Sequence, residues 1–333
     1  MKNTLSVLLL FLTFMSNSQI SFDQKPTIAA AQNLLSSLTT EQKNKAHLSF
    51  DDTSRTKWSN FPMEQVTRQG LWLNDMTDAQ KMHIHTLLRT VLSTEGYQKA
   101  LFIIQYDEDI KQRLTAAKSP IANRYGQEKY WITVFGEPDM NKVWAWKFEG
   151  HHISLNFTHS PKGVTCTPMF VGINPALTTA GAFAGRYIMQ QENELGKQLF
   201  ASLNADMKKK AILGTHPTNA DPMAQTGKED FLKEKAGIAV KDMTKAQQDM
   251  VTDIIKAWVE NINPILAQEK LIPILKNKDM LRFAWYGTDD VSKLHYYRLY
   301  SPSFIIELTN RDGGIQHLHS LWRSLDEDFT AKK

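Results

Sequence analysis

Two stretches of the chain, GLWLNDMTDAQ at residues 70–80 and GIAVKDMTKAQ at residues 237–247, share the pattern that decides the fold. They lie 237 − 70 = 167 residues apart. In each stretch a Thr is followed three residues later by a Gln. This is the spacing of a helix capping box, in which the hydroxyl and the amide each satisfy a free backbone N–H. Apolar residues at helical spacing follow both boxes, so both stretches predict an amphipathic helix.

The repetition continues into a strand-rich block, at a smaller offset of 287 − 136 = 151 residues. The matching positions have no gap between them: Gly136, Lys142, Trp144, Trp146, Leu155, Thr158, Gly163 and Val164 correspond to Gly287, Lys293, His295, Tyr297, Ile306, Thr309, Gly314 and Ile315. We therefore predict an α+β protein with an internal duplication of a helix-plus-antiparallel-sheet unit, present as two pseudo-symmetric lobes. The expected segments are an N-terminal helix and lead-in at 19–69, lobe one at 70–185, connecting helices and a loop at 186–236, and lobe two at 237–333.

The first residues have the pattern of a signal peptide. Lys2 gives a short basic start, residues 5–14 are an apolar run, and Ser16 and Ser18 are small residues before a cleavage site after residue 18. The apolar run is too short for a transmembrane segment, and no later segment is apolar enough to be one. We therefore expect a secreted or periplasmic protein without a transmembrane segment.

Charge and cysteine content exclude several classes of protein. The formal net charge is only +4, and the basic run at residues 208–210 lies at the end of a predicted helix, where cations suit the helix dipole. Nucleic-acid binding is therefore not predicted. The chain has one cysteine, Cys166, so an intrachain disulfide is excluded.

Lobe two contains a candidate metal site on a predicted hairpin. With the turn at residues 310–314, Glu307 lies opposite His317, and His319 projects from the same face two residues further on. Two imidazoles and a carboxylate that converge in this way are typical metal ligands. The alternative is a hydrogen-bonded polar cluster without a metal.

Lobe one contains a second candidate in the sequence FEGHHISLN at residues 148–156. The apolar residues change phase at Gly150, which indicates a bulge or a tight turn there. This change leaves His151 at the kink and places Glu149 and His152 on one polar face. Bulges often direct side chains into functional sites, although Gly150 could simply turn a corner that the histidines cap.

The duplication suggests that the two candidates are parts of one site. At the offset of 151, Glu307, His317 and His319 correspond to Asn156, Cys166 and Pro168, while His151 and His152 correspond to Pro302 and Ser303. Each lobe thus has ligand-type residues where its counterpart has none. We expect His151 or His152 to approach His317 and His319 and to share one metal or small ligand with them.

The same motifs resemble a family. The segment FEGHHISLN, the segment TPMFVGINPA at residues 167–176, and His317-x-His319-Ser320-x-Trp322-Arg323 are similar to motifs in a family of bacterial secreted proteins known as a domain of unknown function. The resemblance covers most of the chain after the signal peptide. An Asp commonly follows the Trp-Arg pair in that family, whereas Ser324 stands here. The family has no activity to carry over.

The residues therefore have to predict the function. We expect one divalent metal, zinc or iron, bound by His151 or His152 together with Glu307, His317 and His319. With zinc, a bound water would be the nucleophile and Glu149 the general base of a hydrolase that acts on an unknown small-molecule substrate. With iron, two histidines and a carboxylate would suit a non-haem oxygenase. The alternative class is a non-catalytic protein that binds a small molecule or a partner in a cleft.

Overall fold

The computed structural model describes residues 21–216, 221–224, 228, 230–311 and 316–331. The signal-peptide pattern and most of the turn at 310–314 lie outside these residues. The described part of the chain contains eight α-helices: α1 (Lys25–Ser37), α2 (Thr40–Ala46), α3 (Asp78–Val91), α4 (Thr94–Ala116), α5 (Gln190–Ser202), α6 (Ala205–Ala211), α7 (Lys245–Val259) and α8 (Pro264–Lys276).

One mixed sheet contains all of the described strands: β1 (His47–Leu48), β2 (Leu71–Trp72), β3 (Tyr130–Phe135), β4 (Trp144–Gly150), β5 (Ile153–Ser160), β6 (Gly163–Thr165), β7 (Met169–Ile173), β8 (Ile212–Gly214), β9 (Ile238–Ala239), β10 (Arg282–Gly287), β11 (His295–Tyr300), β12 (Phe304–Asn310) and β13 (Leu318–Ser324). Their order is β1-β3-β4-β5-β7-β13-β12-β11-β10-β8, with β2, β6 and β9 paired at the side of β3, β5 and β10. Only β1 with β3 and β8 with β10 are parallel. The α+β class that the sequence predicts is confirmed.

Both predicted capping boxes are present. The Thr77 hydroxyl accepts from the Gln80 N–H while the Gln80 side chain accepts from the Thr77 N–H, and α3 begins at the next residue. Thr244 and Gln247 do the same at the start of α7. The apolar stripes behind the boxes are buried in the core, as expected of amphipathic helices.

The two halves of the molecule have the same order of elements. The series α1-α2-β1-β2-α3-α4-β3-β4-β5 is matched by α5-α6-β8-β9-α7-α8-β10-β11-β12, and the strand order of the sheet has matching strands at equal distances from its centre. At that centre Phe170 pairs with Leu321, and 321 − 170 = 151, the offset of the sequence repeat. The origin of the halves by duplication stays our interpretation. The matching elements begin at α1 and α5, which the predicted lobe boundaries leave outside both lobes.

The two halves share one hydrophobic core. A row of directly paired residues crosses the sheet with all its side chains in that core: Ile132, Phe148, Leu155, Met169, Trp322, Ile306, Leu299 and Phe283. Neighbouring residues in a strand point to opposite faces, so Glu149, Ser154, Phe170 and Glu307 lie on the other face. Segments between β1 and β2 and between β8 and β9 cover this more polar face.

Candidate metal centre

A tight turn in the first half carries the two adjacent histidines. Gly150 ends β4 and pairs with Ile153 at the start of β5, so His151 and His152 form the turn that the phase change predicts. His152 has a φ of 64°, in the left-handed region that non-glycine residues seldom adopt. Its N–H donates to the Asn60 carbonyl at 3.3 Å, and its carbonyl accepts from the Gly172 N–H at 2.8 Å. Backbone contacts on both sides therefore fix this turn.

The second half supplies its histidines from β13 and the residue before it. His319 lies opposite Gly172 of β7 on one side and Thr309 of β12 on the other. The predicted register of this hairpin is wrong, because Glu307 pairs with Leu321 and not with His317. The connection between β12 and β13 is longer than a turn at 310–314, and the partner of Glu307 moves by 321 − 317 = 4 residues. Because the pairing shifts by an even number of residues, Glu307 stays on the same face of the sheet as His319 but lies at a different position along the strands.

Three imidazole nitrogens meet where the halves join. The Nε2 atom of His317 is 3.2 Å from Nε2 of His152 and 3.0 Å from Nε2 of His319. The rings are steeply inclined to one another, with interplanar angles of 69–84°. The expected approach of the adjacent histidines to the pair in lobe two is thus present, through His152.

Two ring nitrogens compete for one nitrogen of His317. A ring nitrogen of a neutral imidazole is either one donor or one acceptor. Nε2 of His317 can therefore make a full hydrogen bond to only one of the two rings, and its other contact is at best a weaker, shared one. The three nitrogens are also close enough together to hold one metal ion.

Burial keeps the three rings neutral. It lowers the pKa of His317 to about 3, with further lowering by the charges of His319 and Arg311. It holds the pKa of His152 well below its ordinary value. It also lowers the pKa of His319, although a hydrogen bond to Asp221 opposes the change. Neutral imidazoles have the free lone pair that a metal requires.

Asp221 fixes the orientation of one ring. His319 Nδ1 lies 2.8 Å from Oδ1 of Asp221, so Nδ1 carries the proton and Nε2 keeps its lone pair. Burial would raise the pKa of Asp221, but the hydrogen bond and the charges of His319 and Arg311 outweigh it and lower that pKa. A carboxylate on the outer nitrogen is the usual second partner of a metal-binding histidine.

The other turn histidine has a different partner. His151 Nδ1 lies 3.2 Å from Oδ1 of Asp107 on α4, and the Tyr130 hydroxyl donates to the second oxygen of Asp107 at 2.8 Å. The His151 ring stacks on His152 at a centroid distance of 3.8 Å. Asp107, His151 and His152 are a second group close enough to share an ion, and His152 belongs to both this group and the group with His317 and His319.

Neither predicted glutamate belongs to these groups within the described residues. The Glu149 carboxylate pairs with Lys147 Nζ at 2.8 Å and with Arg68 Nε at 3.8 Å, and it accepts from the Ser59 N–H. These partners hold the Glu149 carboxylate away from both imidazole groups, so the catalytic role expected of Glu149 is not supported.

Glu307 is likewise engaged elsewhere. Its oxygens accept from the N–H groups of Met223 and Ala224, both at 2.8 Å, and from the Tyr296 hydroxyl at 2.6 Å. Burial raises the pKa of Glu307 despite these bonds. The ligand role expected of Glu307 is therefore corrected: it anchors the segment that carries Asp221.

Sequence reasoning missed the two aspartates and Gly172. Asp107 is a buried acidic residue in the middle of α4, a placement that a helical pattern could have marked as unusual. Asp221 follows no spacing rule, because it reaches His319 from a loop 98 residues away in sequence.

The chain is thus an α+β protein with a buried imidazole cluster where the two halves of its sheet meet. It belongs to DUF3500, a family described as proteins of unknown function, whose model matches residues 22–331. No curated protein and no solved structure matches the chain. Among the described helices, none has both the length and the apolar character that crossing a bilayer requires.

Proposed function

We propose that the protein binds one divalent metal through the Nε2 atoms of His152, His317 and His319, with zinc the best fit. The observation that carries this proposal is the pair of Nε2 contacts at 3.2 and 3.0 Å around His317. Zinc–nitrogen bonds of about 2.0–2.1 Å in tetrahedral geometry bring ligand nitrogens to about 3.4 Å from one another. Binding would need only small adjustments of the rings.

The proposed chemistry is hydrolysis outside the cytoplasm. Neutral imidazole ligands do not reduce the double positive charge of the zinc ion. A site with only three protein ligands also has a fourth position open for water. Zinc lowers the pKa of such a water to about 7, which supplies hydroxide as a nucleophile near neutral pH. The extracytoplasmic location rests on the pattern of residues 1–18 and is tested by N-terminal sequencing of the mature protein.

An iron oxygenase is a second candidate. The residues that support it differ from the iron ligands that the sequence predicts. The predicted carboxylate, Glu307, is bound to the Met223 segment. Asp107, His151 and His152 nevertheless form a group of two imidazoles and one carboxylate. This is the ligand composition of non-haem iron oxygenases.

Metal analysis tests both candidates. The protein is purified without a histidine tag, loaded with an equimolar mixture of zinc and iron(II) without oxygen, and analysed by elemental mass spectrometry after dialysis. We expect one zinc per chain in the wild type, none in His317→Ala or His319→Ala, and one in the control His83→Ala on α3. Full zinc content in His317→Ala would contradict the zinc site, and iron that depends on Asp107 would favour the oxygenase.

Turnover tests the hydrolase itself. The zinc-loaded wild type should hydrolyse 4-nitrophenyl acetate, and the metal-free protein should not. Equal rates with and without zinc would contradict the proposed reaction while leaving the metal site in place.

A further inference from the structure

Among the three proposed zinc ligands, His317 has the least support from the sheet. The pairing of β13 with both of its neighbours ends at Leu318, which lies opposite Asn310 on one side and Ile173 on the other. His317 precedes this last pair, and it is less buried than the other two ligands. Contacts outside the sheet therefore have to hold its backbone where its Nε2 atom meets the other two rings.

The residue before His317 makes two of these contacts. The Gln316 carbonyl accepts from the Ala176 N–H at 2.6 Å, and its side-chain Oε1 accepts from the Leu177 N–H at 2.8 Å. Both donors belong to the first half, in the segment that follows β7. The His317 carbonyl itself accepts from the Arg311 N–H at 2.6 Å. Gln316 thus joins the backbone beside a second-half ligand to the first half.

The segment that Gln316 binds is a firm support. Ala176 is buried in the shared core, and its carbonyl accepts from the Ile188 N–H at 2.9 Å. Leu177 forms an antiparallel bridge with Tyr187, just before α5 begins. Residues 176 and 177 are therefore the fixed base of a loop, and the two N–H groups that Gln316 binds have a set position.

The other half contains the same kind of contact without a metal ligand beside it. At the offset of 316 − 165 = 151, Gln316 corresponds to Thr165, whose hydroxyl donates to the Thr330 carbonyl at 2.7 Å. Thr330 lies in the segment after β13, as the partners of Gln316 lie in the segment after β7. The residue after Thr165 is Cys166, whereas the residue after Gln316 is His317. Only one of the two matched contacts therefore adjoins the metal centre.

We propose that Gln316 is a positioning residue of the metal centre, whose side-chain bond to Leu177 sets the position of His317 and thereby the coordination of the metal. This inference rests on the proposed three-histidine zinc site. Loss of the side-chain bond leaves all three ligands in the chain, but it leaves His317 less well placed. Residues behind a metal ligand contribute about 10- to 100-fold to metal affinity, so a loss of about 10-fold or more is expected.

Matched variants test this role with two probes, zinc and cobalt(II). Competition with a dye measures zinc affinity, and visible absorption of cobalt(II) reports the geometry of the bound ion. In Gln316→Met we expect one zinc per chain, an affinity lower by about 10-fold or more, and an altered cobalt spectrum. Gln316→Glu should keep at least the wild-type affinity and the wild-type spectrum, because a carboxylate oxygen also accepts from the Leu177 N–H.

Thr165→Val is the control for a purely structural effect. It removes the matched hydrogen bond to Thr330, so it should unfold at a lower urea concentration than the wild type. Its zinc affinity and cobalt spectrum should nevertheless equal those of the wild type. Urea unfolding of the metal-free proteins also shows that each variant is folded. If Gln316→Met does not fold, the shorter Gln316→Asn replaces it, with the same loss of affinity expected.

The outcomes separate this role from the proposed function. A wild type that binds no zinc contradicts the zinc site itself. A zinc-binding wild type with an equal affinity and an equal cobalt spectrum in Gln316→Met overturns the role of Gln316 alone. Equal losses of affinity in Gln316→Met and Thr165→Val, or in Gln316→Met and Gln316→Glu, also overturn it, because neither result depends on the acceptor beside His317.

Discussion

Gly172 lies opposite His319 in the sheet, and its missing side chain leaves the space in which the rings of His152 and His319 meet. A Cβ atom at this position would lie 2.9 Å from Cδ2 of His152 and 2.9 Å from Cδ2 of His319. Carbon atoms this close repel strongly, since their optimal separation is about 3.5–4.0 Å. The fold therefore keeps a glycine at the point where a strand of one half supports ligands from both halves.

Replacing this glycine tests the geometry without removing a ligand. In Gly172→Ala we expect the two rings to be pushed apart and zinc affinity to fall by about 10- to 100-fold, as for other changes behind a metal ligand. Gly214→Ala on β8 is the matched control, because its Cβ would meet its nearest atom at an ordinary 3.5 Å. Competition with a zinc-binding dye measures both affinities, and equal values would contradict the packing argument.

Asp221→Asn tests the outer carboxylate. The amide oxygen can still accept from His319 Nδ1, but the negative charge that makes the ring a better donor to metal is lost. We expect zinc affinity to fall by about 10- to 100-fold, while saturating zinc still gives one ion per chain. The exposed Asp290→Asn should bind as the wild type does. If Asp221→Asn bound less than one zinc ion per chain even at saturating zinc, Asp221 would instead be a direct ligand.

The sequence predicts contacts between residues that are close together in the chain better than contacts between distant residues. The capping boxes of α3 and α7 are local, because Thr77 bonds to a residue three positions away, and both are predicted correctly. The strand block is also found, since alternation and the repeat specify its order. Short-range patterns and internal comparison thus recover the class of fold and the meeting of His152 with His317.

The remainder depends on contacts that no spacing rule specifies. The partner of Glu307 is set by the length of the connection between β12 and β13, and one assumed turn length put a metal ligand in the wrong place. Glu149 reads as a free carboxylate in sequence, but Arg68 reaches it from a loop 81 residues earlier, by 149 − 68. Pairing of this kind becomes visible only when the loops are placed on the sheet.

Acid should destabilise the metal-free protein through a histidine outside the metal centre. His159 is buried and accepts from the Trp146 indole N–H at Nε2, and burial lowers its pKa from 6.5 to about 3. Between these pH values the unfolded chain binds a proton that the native state does not. The free energy of unfolding contributed by this group is therefore complete above pH 6.5 and falls by about 1.4 kcal/mol per unit as the pH drops towards 3.

Urea unfolding with a chelator, at about pH 6 and about pH 4, measures this slope. In His159→Gln the group is absent, so stability should depend on pH less steeply by about 1.4 kcal/mol per unit. Its stability should also be lower at all pH values, because the stacking on Trp144 is lost. Equal slopes in the two proteins would show that His159 titrates normally in the native state.

Glu307→Gln separates a structural carboxylate from a metal ligand. Glu307 accepts from two backbone N–H groups and from Tyr296, and an amide in its place turns one acceptor into a donor that faces another donor. An unsatisfied buried donor costs about 1–3 kcal/mol, so the free energy of unfolding in urea should fall by that amount. The segment of residues 221–224 is held by Glu307, so zinc affinity should fall slightly through Asp221, while the stoichiometry stays at one ion per chain. His319→Ala, measured in parallel, should bind no zinc. A Glu307→Gln protein of unchanged stability that has lost its zinc would return Glu307 to the ligand role that the sequence predicts and would overturn the three-histidine site.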